Sequence, residues 1–170
     1  MKRTVTVLVL LFVSLTINAQ RVKGKKGDSP SDNVQRTTWE TMSISLRSYI
    51  GIRILKLDST YTMDIRAVFD GKNLSILEGE NLTLKLSNDS TIMLQALKTV
   101  TSCRGCFSFG TPPRMSEGIE MSFEVPAAIV PLLQANNVTN LKIDFTKGTE
   151  EVEIKEKNGD VVIKCLGVLK

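Results

Sequence analysis

The 170-residue chain contains no histidine, and this absence excludes several kinds of active site. Ser-His-Asp and Cys-His catalysis need an imidazole base, and HExxH proteases and His-liganded zinc sites need it as a metal ligand. The chain also has no P-loop and no GxGxxG dinucleotide-binding motif. We therefore expect no cofactor, and the residues favour a protein that is not an enzyme.

Aromatic residues are scarce: they make up 5% of the chain, with a single tryptophan, Trp39. Nucleic-acid-binding domains usually combine clustered lysine and arginine with aromatic side chains that stack on bases. The formal net charge of +4 comes from the N-terminal end, because residues 1–19 carry +2, residues 21–36 carry +3 and residues 37–170 carry −1. The composition therefore disfavours a nucleic-acid partner.

Long apolar runs are also absent, apart from residues 5–17 near the N-terminus. This run follows Lys2 and Arg3 and precedes Ala19, which is typical of a secretory signal peptide over residues 1–19. It is shorter than the roughly 20 apolar residues that a membrane span needs. No cysteine directly follows the predicted cleavage point, so we expect no lipid anchor there. We predict an exported protein, periplasmic or extracellular, with no membrane span in its mature form.

Residues 20–36 are rich in glycine, serine, proline and charge and have almost nothing apolar to bury. This composition predicts a flexible basic leader. Short charged segments are usually just solvated, and the alternative is a basic arm that contacts an anionic surface. The remaining residues, 37–170, are predicted to form a single domain.

From Trp39 onward, apolar residues alternate with polar ones, which is the pattern of half-buried β-strands. The alternating runs are residues 42–46, 50–54, 61–69, 74–76, 82–86, 92–96, 119–125 and 141–145. Polar turn signals recur about every ten residues, as in antiparallel β architectures. The pattern predicts an all-β fold, either an antiparallel β-sandwich or a partly open barrel.

Two segments carry additional local signals. Residues 126–137 read as one short helical segment that starts late or kinks at Pro131, with Leu133 among the residues that cap one end of the sandwich. Asn158 and Gly159 form the dipeptide preferred in a type I′ turn, which predicts a hairpin over residues 152–165. That register places Cys165 on the apolar face of the hairpin.

The motif from Cys103 to Cys106 is the one local motif with chemical content. A CxxC can be a redox dithiol, half of a zinc site or a small structural disulfide. A thioredoxin-type dithiol requires its first cysteine at the N-terminus of a helix, and the residues after Cys106 are not expected to begin one. A zinc site here would lack a fourth ligand. In an oxidising compartment we expect a disulfide and no metal.

The three cysteines allow two kinds of pairing, a short Cys103–Cys106 bridge and a long bridge to Cys165. Chain entropy favours the long Cys106–Cys165 bridge, at about 4 kcal/mol against about 2 kcal/mol for Cys103–Cys106. We expect the Cys103–Cys106 pair nevertheless, because the predicted hairpin turns Cys165 into the core as a buried free thiol.

Residues 98–118 are predicted to form a loop of about 20 residues, a length usually found in functional or disordered segments. The candidate binding residues of this loop are Arg104, Phe107, Phe109 and Arg114. Two aromatic and two arginine side chains beside a disulfide make a plausible contact surface. The alternative is that the two phenylalanines simply pack beneath the loop.

The chain resembles a group of small exported proteins of unknown function from Bacteroidetes, over roughly residues 60–155. The segments that carry the resemblance are Asn18-Ala19-Gln20, residues 78–91, the Cys103–Cys106 motif, Gly118-Ile119 and residues 125–145. The resemblance implies a β-rich fold associated with the cell envelope and adds no catalytic residue.

Three functions are compatible with these observations. The leading hypothesis is a non-enzymatic binding or interaction module of the cell envelope, whose partner is an envelope protein or a glycan. The second is a thiol-disulfide or metal-related function centred on Cys103 and Cys106, and the third is a hydrolase whose carboxylates converge from distant strands. A homodimer formed through an exposed edge strand is a further option.

Overall fold

The computed structural model describes residues 24–26, 34–45, 48–69, 71–109 and 114–169. The predicted signal peptide, residues 1–19, lies outside the described residues. The strands are β1 (Gly24–Lys26), β2 (Val34–Thr37), β3 (Glu40–Ile44), β4 (Ser48–Leu57), β5 (Thr60–Phe69), β6 (Ser75–Ile76), β7 (Asn81–Leu86), β8 (Thr91–Gln95), β9 (Val100–Thr101), β10 (Cys103–Phe109), β11 (Arg114–Val125), β12 (Val138–Phe145) and β13 (Gly148–Glu153). The helices are α1 (Val130–Ala135) and α2 (Val161–Gly167), with 3₁₀ turns at Ala127–Ile129 and Glu156–Asn158. The predicted all-β fold is confirmed.

The larger sheet is antiparallel, with the strand order β1-β2-β4-β5-β11-β10, and β3 also pairs with β4. Its centre is the β4–β5 hairpin, in which two ten-residue strands pair along their whole length from Ser48 opposite Phe69 to Leu57 opposite Thr60. Asp58 turns this hairpin with a φ of 53°, in the left-handed region that aspartate tolerates better than most residues.

The smaller sheet has the order β13-β12-β7-β8, and β6 pairs with β9 as a separate two-stranded ribbon. Strands β7 and β8 form a hairpin in which Leu84 lies opposite Ile92. A backbone bridge between Ala96 and Phe123 joins the end of this sheet to the larger one.

One hydrophobic core lies between the two sheets, because the alternating residues of both turn their apolar side chains to the same interior. Fully buried examples from the larger sheet are Ile52, Ile65, Met121 and Phe123, and from the smaller sheet Leu82, Leu84, Leu141 and Ile143. The alternation seen in the sequence therefore sets which face of each strand points inward.

The predicted helical segment over residues 126–137 is confirmed as the first 3₁₀ turn followed by α1. Pro131 lies in the first turn of α1, where its missing N–H breaks no helical hydrogen bond. Leu133 is fully buried, and it closes the core together with Val130.

The predicted hairpin over residues 152–165 is wrong, since this segment contains a 3₁₀ turn and a second helix, α2. A type I′ turn needs positive φ at both central residues, whereas Gly159 has a φ of −63°. The apolar residues Val161, Val162, Cys165 and Leu166 share one face of a helix and are all buried there. Strand β13 pairs instead with β12, through Val152 opposite Leu141.

The predicted loop over residues 98–118 is also wrong. Most of this segment is strand, because β10 and the start of β11 pair as an antiparallel hairpin at the edge of the larger sheet. A bulge between Arg104 and Phe107 interrupts the alternation of side chains there, which is why the sequence pattern did not reveal a strand.

Within the predicted leader, residues 20–36, the structure describes β1 and most of β2. Both belong to the larger sheet, with Lys25 opposite Arg36 and Arg36 opposite Leu55. The other residues of the leader lie outside the described part. None of the helices in the described residues is long and apolar enough to cross a membrane.

Candidate functional site

Polar side chains of three neighbouring strands meet on the outer face of the larger sheet. The register places Asp64 between Arg53 and Ser122, and in the next row it places Arg66 opposite Glu120. In each strand, the residues before and after these positions point into the core, so these five side chains project outward together. We call this group the outer-face network.

The outer-face network is a closed set of ion pairs and hydrogen bonds. Arg53 donates from Nη2 and Nε to Asp64 Oδ2, at 2.6 and 3.1 Å, and Ser122 Oγ donates to Asp64 Oδ1 at 2.8 Å. Glu120 accepts from Arg66 Nε at 2.9 Å and from Arg53 Nη2 at 3.4 Å. Both oxygens of the nearly buried Asp64 therefore accept hydrogen bonds. The carboxylates of Asp64 and Glu120 are arranged as parts of a structural network and not as a general acid and a general base.

The indole ring of Trp39 lies on this network. Trp39 is in the short connection between β2 and β3, and its ring centre is 4.0 Å from Arg66 Cζ and 4.6 Å from Arg53 Cζ. The ring of Phe107 contacts the same arginine, with its centre 4.9 Å from Arg66 Cζ. Stacking on two guanidinium groups holds the indole in one orientation.

Phe107 reaches Arg66 because the neighbouring strand has a glycine beneath the phenyl ring. A Cβ atom at Gly118 would overlap Cδ2 of Phe107 and would lie 3.1 Å from Cγ2 of Val68. Gly118 thus provides the space that the aromatic ring occupies.

The Cys103–Cys106 disulfide closes the bulge that precedes Phe107. The two cysteines form the disulfide with their Cα atoms 5.6 Å apart, and both are exposed. Between them, Gly105 has a φ of 74°, which is the left-handed conformation that a tight bulge requires. The expected pairing is therefore the one in the structure, and regular pairing resumes directly after it, with Phe107 opposite Ser116.

The remaining cysteine is buried and free, as expected, although it lies in α2 and not in a hairpin. Cys165 is fully buried. The pKa of its thiol is raised to about 11, mainly because burial disfavours the thiolate. A hydrogen bond with the Thr37 side chain lowers this pKa, and the negative charge of Glu40 raises it. A thiol with this pKa and no access to solvent is unreactive.

A cleft of about 370 Å³ lies beside Trp39, between β3 and the C-terminal segment. Its lining residues are Trp39, Glu40, Thr41, Ser43, Ile44, Lys155, Lys157, Asn158, Val161 and Lys164. We call it the Trp39 cleft. Asn158 Nδ2 donates to the carbonyl oxygen of Met42 at 2.9 Å, so a hydrogen bond joins the two walls. Two wider depressions at the smaller sheet are more open and have no aromatic residue in their lining.

The Trp39 cleft is positively charged. Lys155, Lys157 and Lys164 line it together with one acidic residue, Glu40. Lys164 is paired with Asp160 at 2.8 Å, whereas Lys155 and Lys157 are exposed and form no ion pair with any residue that the structure describes. Two lysines are thus available to an anionic ligand.

The structure separates the four residues of the predicted binding loop. Phe107 belongs to the stack with Arg66, and Arg104 is exposed at the sheet edge, opposite Glu117. The backbones of Phe109 and Arg114 pair at the end of the hairpin, and their side chains lie outside the described residues. The sequence reasoning missed Trp39 and the lysines of the cleft, although Trp39 was visible as the only tryptophan.

A comparison with protein-family models, with curated proteins and with solved structures found no match. In the described ranges, no group of three or more cysteine, aspartate or glutamate side chains could hold a metal ion.

Proposed function

We propose that the protein is a non-enzymatic binding module of the cell envelope and that the Trp39 cleft is its binding surface. The observation that carries this proposal is that one cleft combines a fixed aromatic ring with two lysines that form no ion pair with any described residue. A side chain that is already held in place loses little conformational entropy when a ligand binds.

The proposed location rests on the sequence. The pattern of residues 1–19 is typical of a signal peptide, and the resemblance to small exported Bacteroidetes proteins points to the cell envelope. In the periplasm or outside the cell, the available partners include envelope proteins and glycans.

Co-sedimentation with isolated cell envelopes tests the proposed surface. Thr41→Trp places a bulky side chain at an exposed lining position of the cleft, and Thr91→Trp makes the same change at an exposed strand position of the smaller sheet. We expect saturable binding by the wild type and by Thr91→Trp, and loss of binding by Thr41→Trp. Saturable binding that Thr41→Trp leaves unchanged would place the binding surface elsewhere, and absence of saturable binding would contradict the proposed function.

A thiol-disulfide function is the second candidate, because both cysteines of the disulfide are exposed at the edge of the sheet. Alkylation without prior reduction, followed by peptide mapping after incubation in glutathione buffer, distinguishes the two functions. A disulfide that persists favours a structural role at the bulge. Rapid conversion to two thiols, with oxidation of two glutathione molecules to glutathione disulfide, would favour the redox function.

A further inference from the structure

We infer that the Trp39 cleft binds an acidic saccharide, with a carboxylate on Lys155 and Lys157 and the sugar ring against Trp39. This inference rests on the proposed function, since it names the ligand of the same cleft. It is argued from the charge of the cleft, from the aromatic ring, and from the polar groups between them.

The charge favours an anion because its binding need not break an existing ion pair. Lys155 and Lys157 lie on the same wall, exposed and with no ion pair to any described residue, whereas Lys164 is paired with Asp160. Glu40 is the acidic residue of the lining, and its Oε1 already accepts a hydrogen bond from Thr38 Oγ1 at 2.9 Å. An incoming carboxylate gains charge-assisted hydrogen bonds from the two exposed lysines, and these outweigh its repulsion by the single charge of Glu40.

The aromatic ring favours a ligand with a flat apolar face. Trp39 is a lining residue of the cleft, and two guanidinium groups lie over its ring and fix the position of the ring. The C–H groups on one face of a pyranose pack well on such a ring, and a bare inorganic anion has no comparable surface. The ring is thus the feature that separates a sugar acid from phosphate or sulfate.

The polar groups favour a ligand with several hydroxyls. Thr41 and Ser43 lie on the β3 wall and Asn158 on the opposite wall, so both walls of the cleft carry hydrogen-bonding side chains. The volume of about 370 Å³ is near the lower end of ligand pockets, which suits one or two sugar units better than a folded partner. Ile44, half exposed at the rim, extends the apolar surface of the same wall.

Trp39 makes the test direct, because it is the only tryptophan of the chain and it is a lining residue of this cleft. The probes are digalacturonic acid and its dimethyl ester, which has the same skeleton without the charges. We expect a saturable change in Trp39 emission with the acid. The ester should bind about tenfold more weakly, because it loses at least one hydrogen bond between a carboxylate and a lysine.

Paired lysine variants provide the matched control. Lys155→Gln/Lys157→Gln should weaken binding of digalacturonic acid by about tenfold or more. Lys98→Gln/Lys147→Gln removes the same charge at two exposed positions outside the cleft and should leave binding unchanged. All four substitutions are at exposed residues, so folding is not expected to change.

The other outcomes each overturn a defined part of the inference. Equal binding of the ester would show that charge is not recognised, and equal binding of a triglutamate peptide would show that the sugar ring is not. No emission change with any saccharide, while Thr41→Trp still abolishes envelope binding, would overturn the ligand class and leave the proposed function standing. No saccharide response together with no envelope binding would overturn both.

Discussion

The Cζ atom of Arg66 lies 4.0 Å from the centre of the Trp39 indole ring. This contact holds the connection between β2 and β3 on the middle of the larger sheet, and Trp39 is also a lining residue of the cleft. The same guanidinium contacts Phe107 and donates to Glu120, so one arginine joins the edge hairpin, the central strands and the candidate binding surface.

Replacing this arginine with lysine tests the stack. Arg66→Lys keeps the positive charge beside Glu120 but removes the planar group that packs on the indole. We expect a loss of about 1 kcal/mol in the free energy of unfolding, measured in urea, and a red shift of Trp39 emission in the native state. Arg104→Lys, at an exposed edge position, is the control and should change neither. An unshifted emission maximum in Arg66→Lys would show that the stack does not position the indole.

The space beneath Phe107 gives a second prediction. Gly118→Ala adds a methyl group where Cδ2 of Phe107 lies, so the ring must move away from Arg66. Overpacking of this kind should lower the free energy of unfolding by about 1–3 kcal/mol in urea titrations. Gly167→Ala is the matched control, because no atom lies within 4 Å of its added Cβ and alanine favours the helix. Equal stability of Gly118→Ala and the wild type would contradict the packing described here.

The disulfide gives a third prediction, in which genetic removal and chemical reduction should agree. Cys103→Ser/Cys106→Ser should lower the free energy of unfolding by about 2 kcal/mol, the chain-entropy value for so short a loop. Dithiothreitol should lower the stability of the wild type by the same amount and leave the double variant unchanged. A wild type whose urea midpoint is insensitive to complete reduction would show that the disulfide does not stabilise the bulge.

Strand alternation made the core predictable, and the failures have physical causes in particular residues. The bulge between Arg104 and Phe107 breaks the two-residue period, so the sequence pattern predicted a loop where the structure has a hairpin. Asn158 and Gly159 prefer a tight turn between strands, but the apolar residues that follow them have helical spacing, and their burial on one face of α2 decided the structure.

The Trp39 cleft was beyond local pattern reading because its two walls are distant in sequence. The hydrogen bond from Asn158 to Met42 that joins them spans 116 residues. Lysines such as Lys155 appear in the sequence as part of an ordinary solvated charge run. Only the fold brings them to the tryptophan.

The buried thiol of Cys165 predicts how stability depends on pH. Its pKa is raised from 9.0 to about 11 in the folded protein, so the unfolded chain loses this proton first as the pH rises. The stabilising contribution is complete below pH 9 and is lost between pH 9 and 11, with a total of roughly 2 to 3 kcal/mol. The free energy of unfolding, measured in urea at pH 8, 9.5 and 11, should therefore decline less in Cys165→Ala than in the wild type, by this amount. The variant starts from a lower stability because the substitution leaves a cavity. Equal declines in the two proteins would show that the thiol ionises as readily in the folded state as in the unfolded one.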